Sequence, residues 1–139
     1  MRTLLLLLAV MFAGSAASPP TDPAGNRIRG EWRGTSQCTN LVLAPSCKDE
    51  TVRYVFTGPI GGTNKYHVSA DKLVGKDYRP MGEMDVTYAA ADSTWMGMLD
   101  VPSCKHCRWW FRVRGSRVIG GLASAAQDTL RKVMATRHR

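Results

Sequence analysis

Apolar side chains recur at every second position through most of this chain, in runs too short for helices. In residues 51–57, Val52, Tyr54 and Phe56 fall on one side and Thr51, Arg53 and Thr57 on the other. The same alternation places Tyr66, Val68 and Ala70 together in 65–70, Met84, Val86 and Tyr88 in 83–89, and Trp109, Phe111 and Val113 in 108–114. A period of two is the mark of a strand with one dry and one wet face. Gly58-Pro59-Ile60-Gly61-Gly62, Ala91-Asp92-Ser93 and Gly115-Ser116 lie between these runs and read as hairpin turns. Further strands are expected at 28–36, 94–100 and 117–123. Residues 129–137 fit a strand, although Leu130, Val133 and Met134 also satisfy helical spacing. Residues 37–50 read as a loop, and 71–82, with Gly75, Pro80 and Gly82, as a connection. Eight strands in up-and-down order close into an all-β antiparallel barrel, which leaves no edge exposed.

The start of the chain has a different character. Met1-Arg2-Thr3 precedes ten uncharged residues from Leu4 to Ala13, followed by Gly14-Ser15-Ala16-Ala17-Ser18. One basic residue, a short apolar stretch and small residues form a secretory signal, with Ser15 and Ala17 at the positions read by the peptidase. Cleavage is expected before Ser18. Ten apolar residues fall well short of the ~20 that a membrane-spanning helix needs, so no transmembrane segment is expected in the mature chain. The expected organisation is a signal peptide at 1–17, a flexible Pro- and Gly-containing lead-in at 18–27 and a single barrel domain at 28–139. The mature protein is expected to be periplasmic or secreted.

Charge is distributed unevenly. Residues 1–103 carry ten Lys/Arg and ten Asp/Glu, whereas 104–139 carry nine Lys/Arg against the single Asp128, so the net +8 belongs to the last quarter of the chain. Arg108, Arg112, Arg114 and Arg117 would form a basic patch on an outer face, with Trp110 among them. Such a patch attracts anionic components of a cell envelope. Nucleic acid is not expected as a partner of an exported chain. A lysozyme inhibitor of the periplasm is set aside as well, because familiar lysozymes are themselves basic.

Four cysteines in a small exported chain read as two disulfides. Three connectivities exist, and the most local, Cys38–Cys47 with Cys104–Cys107, is favoured. Cys104-Lys105-His106-Cys107 also has the spacing of a redox pair, but it precedes a strand rather than opening a helix. Arg108 stands where covalent haem attachment would need histidine. Met96 and Met98, leading into Cys104, His106 and Cys107, compose a soft donor set suited to Cu(I); a structural disulfide is the favoured reading, and no metal or other cofactor is expected.

The stretch Gly30-Glu31-Trp32-Arg33-Gly34 opens the first strand. An exported chain whose first strand begins Gly-x-Trp and continues as an eight-strand meander resembles the lipocalin and avidin-like (calycin) barrels. Through Gly-Thr-Ser-x-Cys and Cys47-Lys48-Asp49-Glu50 it also looks like small exported bacterial proteins of this shape. The resemblance implies that Trp32 plugs one barrel end beneath an arginine from a late strand, Arg131 or Arg137. It does not extend to the ligand contacts of avidins, so biotin is not implied.

No catalytic constellation is present: there is no Gly-x-Ser-x-Gly, no His-Glu-x-x-His and no phosphate-cradling glycine loop. Asp49-Glu50 and Glu83/Asp85 read as solvated acids, and His67 as a surface residue. A non-enzymatic binding module is therefore expected. Its candidate ligand-facing residues are Trp32, Tyr54, Phe56, Tyr66, Met84, Tyr88 and Trp109, and its candidate ligand is a small apolar molecule in the barrel interior. An interior void of about 300 Å³ or more would distinguish a carrier from a filled core. The alternative function is envelope interaction through the arginine face, with a Cu(I) or redox site at Cys-x-x-Cys as a minor alternative.

Overall fold

A computed structural model describes residues 23–139; the expected signal peptide and the first part of the expected lead-in lie outside the described residues. Eight antiparallel strands follow one another around a closed barrel: β1 (Gly30–Cys38), β2 (Glu50–Thr57), β3 (Lys65–Val74), β4 (Asp77–Ala89), β5 (Thr94–Val101), β6 (Cys104–Arg114), β7 (Arg117–Ala123) and β8 (Thr129–Arg137). Each strand pairs with its neighbour in sequence, and β8 returns to pair with β1 through contacts running from Trp32↔Arg137 to Cys38↔Arg131. The last segment is thus a strand. Its partners are β1 and β7, so long-range pairing decides what local period leaves open.

The alternating residues point inward as the pattern requires. Val52, Tyr54, Phe56, Tyr66, Val68, Val86, Phe111, Val118, Val133 and Ala135 form one buried cluster with Trp32 and Trp95. Tyr54 and Phe56 both pack edge-on against Phe111, with ring centroids 5.6 and 5.2 Å away. Gly34 faces the same interior. A Cβ there would lie 2.0 Å from the Met134 carbonyl oxygen, so only glycine lets β1 bend close against β8 and complete the closure.

Three boundaries differ from expectation. The connection read at 71–82 is instead a hairpin: β3 runs on to Val74 and β4 begins at Asp77, with Gly75 in the left-handed region at the turn. A register shift between Ala70 and Asp71 interrupts the alternation, and Pro80 is tolerated in the strand beside it. At the N-terminal side, residues 24–27 of the expected flexible lead-in join Ile28 in a short 3-10 helix. Ile28 belongs to that turn rather than to the first strand, and it is fully buried. Finally, β6 starts at Cys104 rather than Arg108, so Cys-x-x-Cys lies within a strand.

Candidate functional site

The strand directions give the barrel two unlike ends. At one, the first turn, β1's start, the β2–β3 and β4–β5 connections, the β6–β7 hairpin and the end of β8 meet. Trp32 is completely buried here and donates from its indole nitrogen to the Ile28 carbonyl at 2.7 Å. The Arg137 guanidinium lies 4.2 Å over the Trp32 ring and donates to the carbonyls of Arg27 and Arg29. Of the two late-strand arginines, Arg137 is therefore the one at the plug. Tyr66 closes the same end by donating to Asn26 at 2.8 Å.

At the other end both disulfides are found. Cys38 is joined to Cys47 and Cys104 to Cys107, the local pairing. Between them opens a cavity of about 490 Å³. Its wall is mostly apolar, built from Val68, Met84, Leu99, Trp109, Leu122 and Leu130, with Tyr54 and Phe111 also in it. Leu43, Ala44 and Pro45 of the β1–β2 loop, which Cys38–Cys47 staples, border the opening.

One side of the cavity is polar. Arg131 donates to the Ser36 hydroxyl at 2.8 Å and to the Lys48 carbonyl at 2.8 Å, and lies 3.5 Å from the Glu50 carboxylate. Glu50 is also 3.5 Å from the Lys72 amine. It is therefore an ion-paired, part-buried wall residue rather than the solvated acid expected from its neighbour Asp49. Tyr54 stands next to this group. Burial pushes its phenol up to about 12, a rise that the hydrogen bond with Ser36 and the positive charge of Arg131 only partly offset. The phenol consequently stays neutral across any physiological pH and can both donate and accept.

The candidate ligand-facing residues divide between the two ends. Tyr54, Met84 and Trp109 line the cavity. Trp32, Phe56 and Tyr66 are buried in the packed half, and Tyr88 packs there against Trp95 at 4.6 Å. Residues that sequence reasoning passed over are Leu99, Leu122 and Leu130 in the wall, and Ser36, Glu50 and Arg131 in its polar side. Of the apolar three, Leu122 follows from the strand read at 117–123, whereas Leu99 lies in a run with two apolar faces and Leu130 in a segment of ambiguous period; the polar three are brought together across as many as 95 positions and leave no local signal.

The other candidate sites resolve as follows. Cys104 and Cys107 are bonded to each other, and Met98 lies exposed on the outer wall, so the soft donor set for Cu(I) is not assembled. Among the described residues no group of three or more His, Cys, Asp or Glu side chains is placed to hold a metal ion. His67 lies on the surface between Asp85 at 3.0 Å and Glu83 at 3.4 Å. Arg108, Arg112 and Arg114 follow one another along the outside of β6, with Arg117 paired across from Arg114 on β7. No helix among the described residues is long and apolar enough to cross a membrane. The two disulfides fit a chain that folds in an oxidising compartment.

No protein-family model matches the chain, and no curated protein matches it. Solved structures do. A redesigned β-barrel superposes with a TM-score of 0.56 at 17% identity, covering 84% of this chain and 96% of its own. The siderocalin Ex-FABP, described as functioning through dual ligand specificities, gives 0.42 at 17% identity, covering 84% of this chain and 75% of its own. A second siderocalin, described as having a dual ligand binding mode, gives 0.37 at 15% identity over 84% and 73%. At these identities the likeness is one of architecture: the chain is a closed, eight-stranded antiparallel barrel of the kind that Gly30-Glu31-Trp32 foreshadows.

Proposed function

We propose that this protein is an exported, non-enzymatic carrier that holds one small, mainly apolar molecule in the cavity at the disulfide-bearing end of the barrel. The observation that carries this reading is the cavity itself: about 490 Å³, walled mostly by aliphatic and aromatic side chains, with Ser36, Glu50, Tyr54 and Arg131 clustered on the β1–β2–β8 side and Glu83 and Ser103 also bordering it. That volume lies within the ~300–1,000 Å³ range of small-molecule sites. Burial of an apolar body against Met84, Leu99, Trp109 and Leu122 supplies the driving force, at about 25 cal/mol per Å² removed from water. Tyr54, Ser36, Glu50 and Arg131 supply hydrogen-bonding groups for one polar end, which fixes orientation rather than affinity. Because Glu50 is already engaged by both Arg131 and Lys72, a cationic polar end is not expected on the ligand. Export is supported by the leader-like residues 1–17 and by two disulfides.

Native mass spectrometry of protein purified from the compartment to which it is exported tests this directly. A retained mass of one small molecule per chain is expected, lost in a Leu99→Arg variant that fills the wall with a charge. A chain that carries nothing, and that takes up no apolar alcohol or fluorescent apolar probe when offered, would exclude the carrier reading.

A further inference from the structure

The outer wall of β5–β8 has a composition unlike the rest of the barrel surface. Along β6 the outward positions are Arg108, Trp110, Arg112 and Arg114. Met96 and Gly121 lie on either side of Trp110, across β5 and β7 respectively, and Arg117 lies across from Arg114. Elsewhere some basic groups have acidic partners, Arg33 with Glu31, Arg53 with Asp71, Lys72 with Glu50 and Arg79 with Asp77, while isolated ones such as Lys65 and Lys76 do not stand in a row of this kind. Among the described residues none of Arg108, Arg112, Arg114 or Arg117 forms an ion pair. Four arginines along one wall with no ion-paired carboxylate raise the local positive potential, which favours an anionic partner.

The wall is also dented at this point. A depression of about 260 Å³ is bordered by Arg108, Trp110, Arg112, Met96, Gln127 and Thr129, with Asp92 as an acid on its rim. Beside it, Gly121 gives the Trp110 indole room against β7: a Cβ there would meet the indole nitrogen at 3.0 Å. Arg112 holds the other side, 5.5 Å from the Trp110 ring centroid, with its own side chain tied to Thr94 at 2.8 Å. Trp110 is half-buried, and part of it remains open.

We infer that this wall is a second binding site, distinct from the cavity, and that it takes a strand of anionic polysaccharide. Outward residues on a strand are about 6.7 Å apart, so the Cα atoms of Arg108 and Arg112 stand roughly 13 Å from each other with Trp110 between them. A row of this kind suits a linear polymer bearing sulfate or carboxylate groups at intervals, with a guanidinium fork on each anion and a sugar ring against the indole. A closed barrel offers no strand edge to which an extended peptide could add. A convex wall also curves away from a flat bilayer. Both features favour the polysaccharide over those partners.

Isothermal titration of the purified protein with heparin and with polygalacturonate tests the inference and separates sulfate from carboxylate recognition. Poly-L-glutamate and phosphatidylglycerol vesicles serve as anions without sugar rings. Binding to at least one glycan is expected, weakening steeply with salt. The double substitution Arg108→Gln/Arg112→Gln should reduce glycan affinity about tenfold, each charge-assisted contact contributing on the order of threefold. Arg108→Gln/Arg114→Gln repeats this without touching the Arg112–Thr94 bond. Lys65→Gln/Lys76→Gln, an equal charge change elsewhere, should cost less than about twofold. Trp110→Ala should weaken the glycan about threefold to tenfold and leave poly-L-glutamate unchanged. Equal losses from the lysine and arginine pairs, tighter binding to poly-L-glutamate or vesicles, indifference to Trp110→Ala, or no glycan binding would each overturn the inference.

Discussion

The two ends of this barrel are made from the same alternating strands, yet one is filled and the other hollow. At the filled end the interior positions carry Trp32, Phe56, Trp95 and Val118, all essentially without solvent exposure, and Ile28 of the first turn and Arg137 at the end of β8 cover the plug. At the hollow end the interior positions carry smaller aliphatic residues, Ala70, Leu99 and Leu122, and the polar Ser36 and Arg131. Covalent staples replace packing there, since both disulfides lie at that end. A small domain has limited core to hold it together. The division shows how such a domain keeps a void: stability is concentrated at one end, and the other is tied by sulfur instead of filled.

The comparison predicts a gradient of mutational cost. Trp32→Ala should be the most damaging single change, at about 3–5 kcal/mol, because it empties the plug and removes the partner of both Ile28 and Arg137. The matching change in the cavity wall, Trp109→Ala, should cost clearly less, because Trp109 borders space that is already open. Chemical denaturation of both variants checks the ordering, and equal costs would abolish the distinction between the ends.

Removal of the first staple by Cys38→Ser/Cys47→Ser should cost about 2–3 kcal/mol from the loop that it closes. It should also weaken ligand retention, since the β1–β2 loop borders the opening. Tyr54 gives a comparable effect through pH. Its phenol is raised from 10.0 to about 12 in the folded state, so the unfolded chain loses that proton first. The stabilisation is fully present below pH 10 and is lost as pH rises from about 10 to 12, amounting to roughly 2–3 kcal/mol. Tyr54→Phe should remove this component of the alkaline decline, read as the slope of denaturation midpoint against pH.

The smallest effect is expected at Trp95. Its indole nitrogen is buried with no protein partner, in contrast to the bonded indole of Trp32. Trp95→Phe deletes an unsatisfied donor, which offsets the lost volume, and should change stability by less than about 1 kcal/mol. Trp32→Phe, which breaks a hydrogen bond and weakens a cation–π contact, should cost more.

The legibility of these features in the sequence follows the range of the interactions behind them. Val52-Arg53-Tyr54-Val55-Phe56 states its own inner face, and the barrel with its local disulfides could be read from such runs. Thr94-Trp95-Met96-Gly97-Met98-Leu99 does not, because both faces are apolar. Only pairing with Trp109 and Phe111 turns Trp95 and Leu99 inward and Met98 outward. The β3–β4 hairpin was hidden by a shifted register that breaks the period around Pro80. Arg131 and Arg137 are equivalent as sequence, two late-strand arginines six residues apart. One lies over Trp32 and the other supports the cavity's polar side, a division that the β1–β8 register sets.

The four tryptophans report on all of this at once, because each has a resolvable indole N–H signal and a different place in the barrel. Titrating the protein with decanol and following those signals by ¹H–¹⁵N NMR tests the hollow end most directly. The Trp109 signal should move and saturate at one molecule per chain, while Trp32, Trp95 and Trp110 stay in place. Movement of Trp32 or Trp95 with Trp109 unmoved would contradict the account, as it would put the ligand in the end described here as filled.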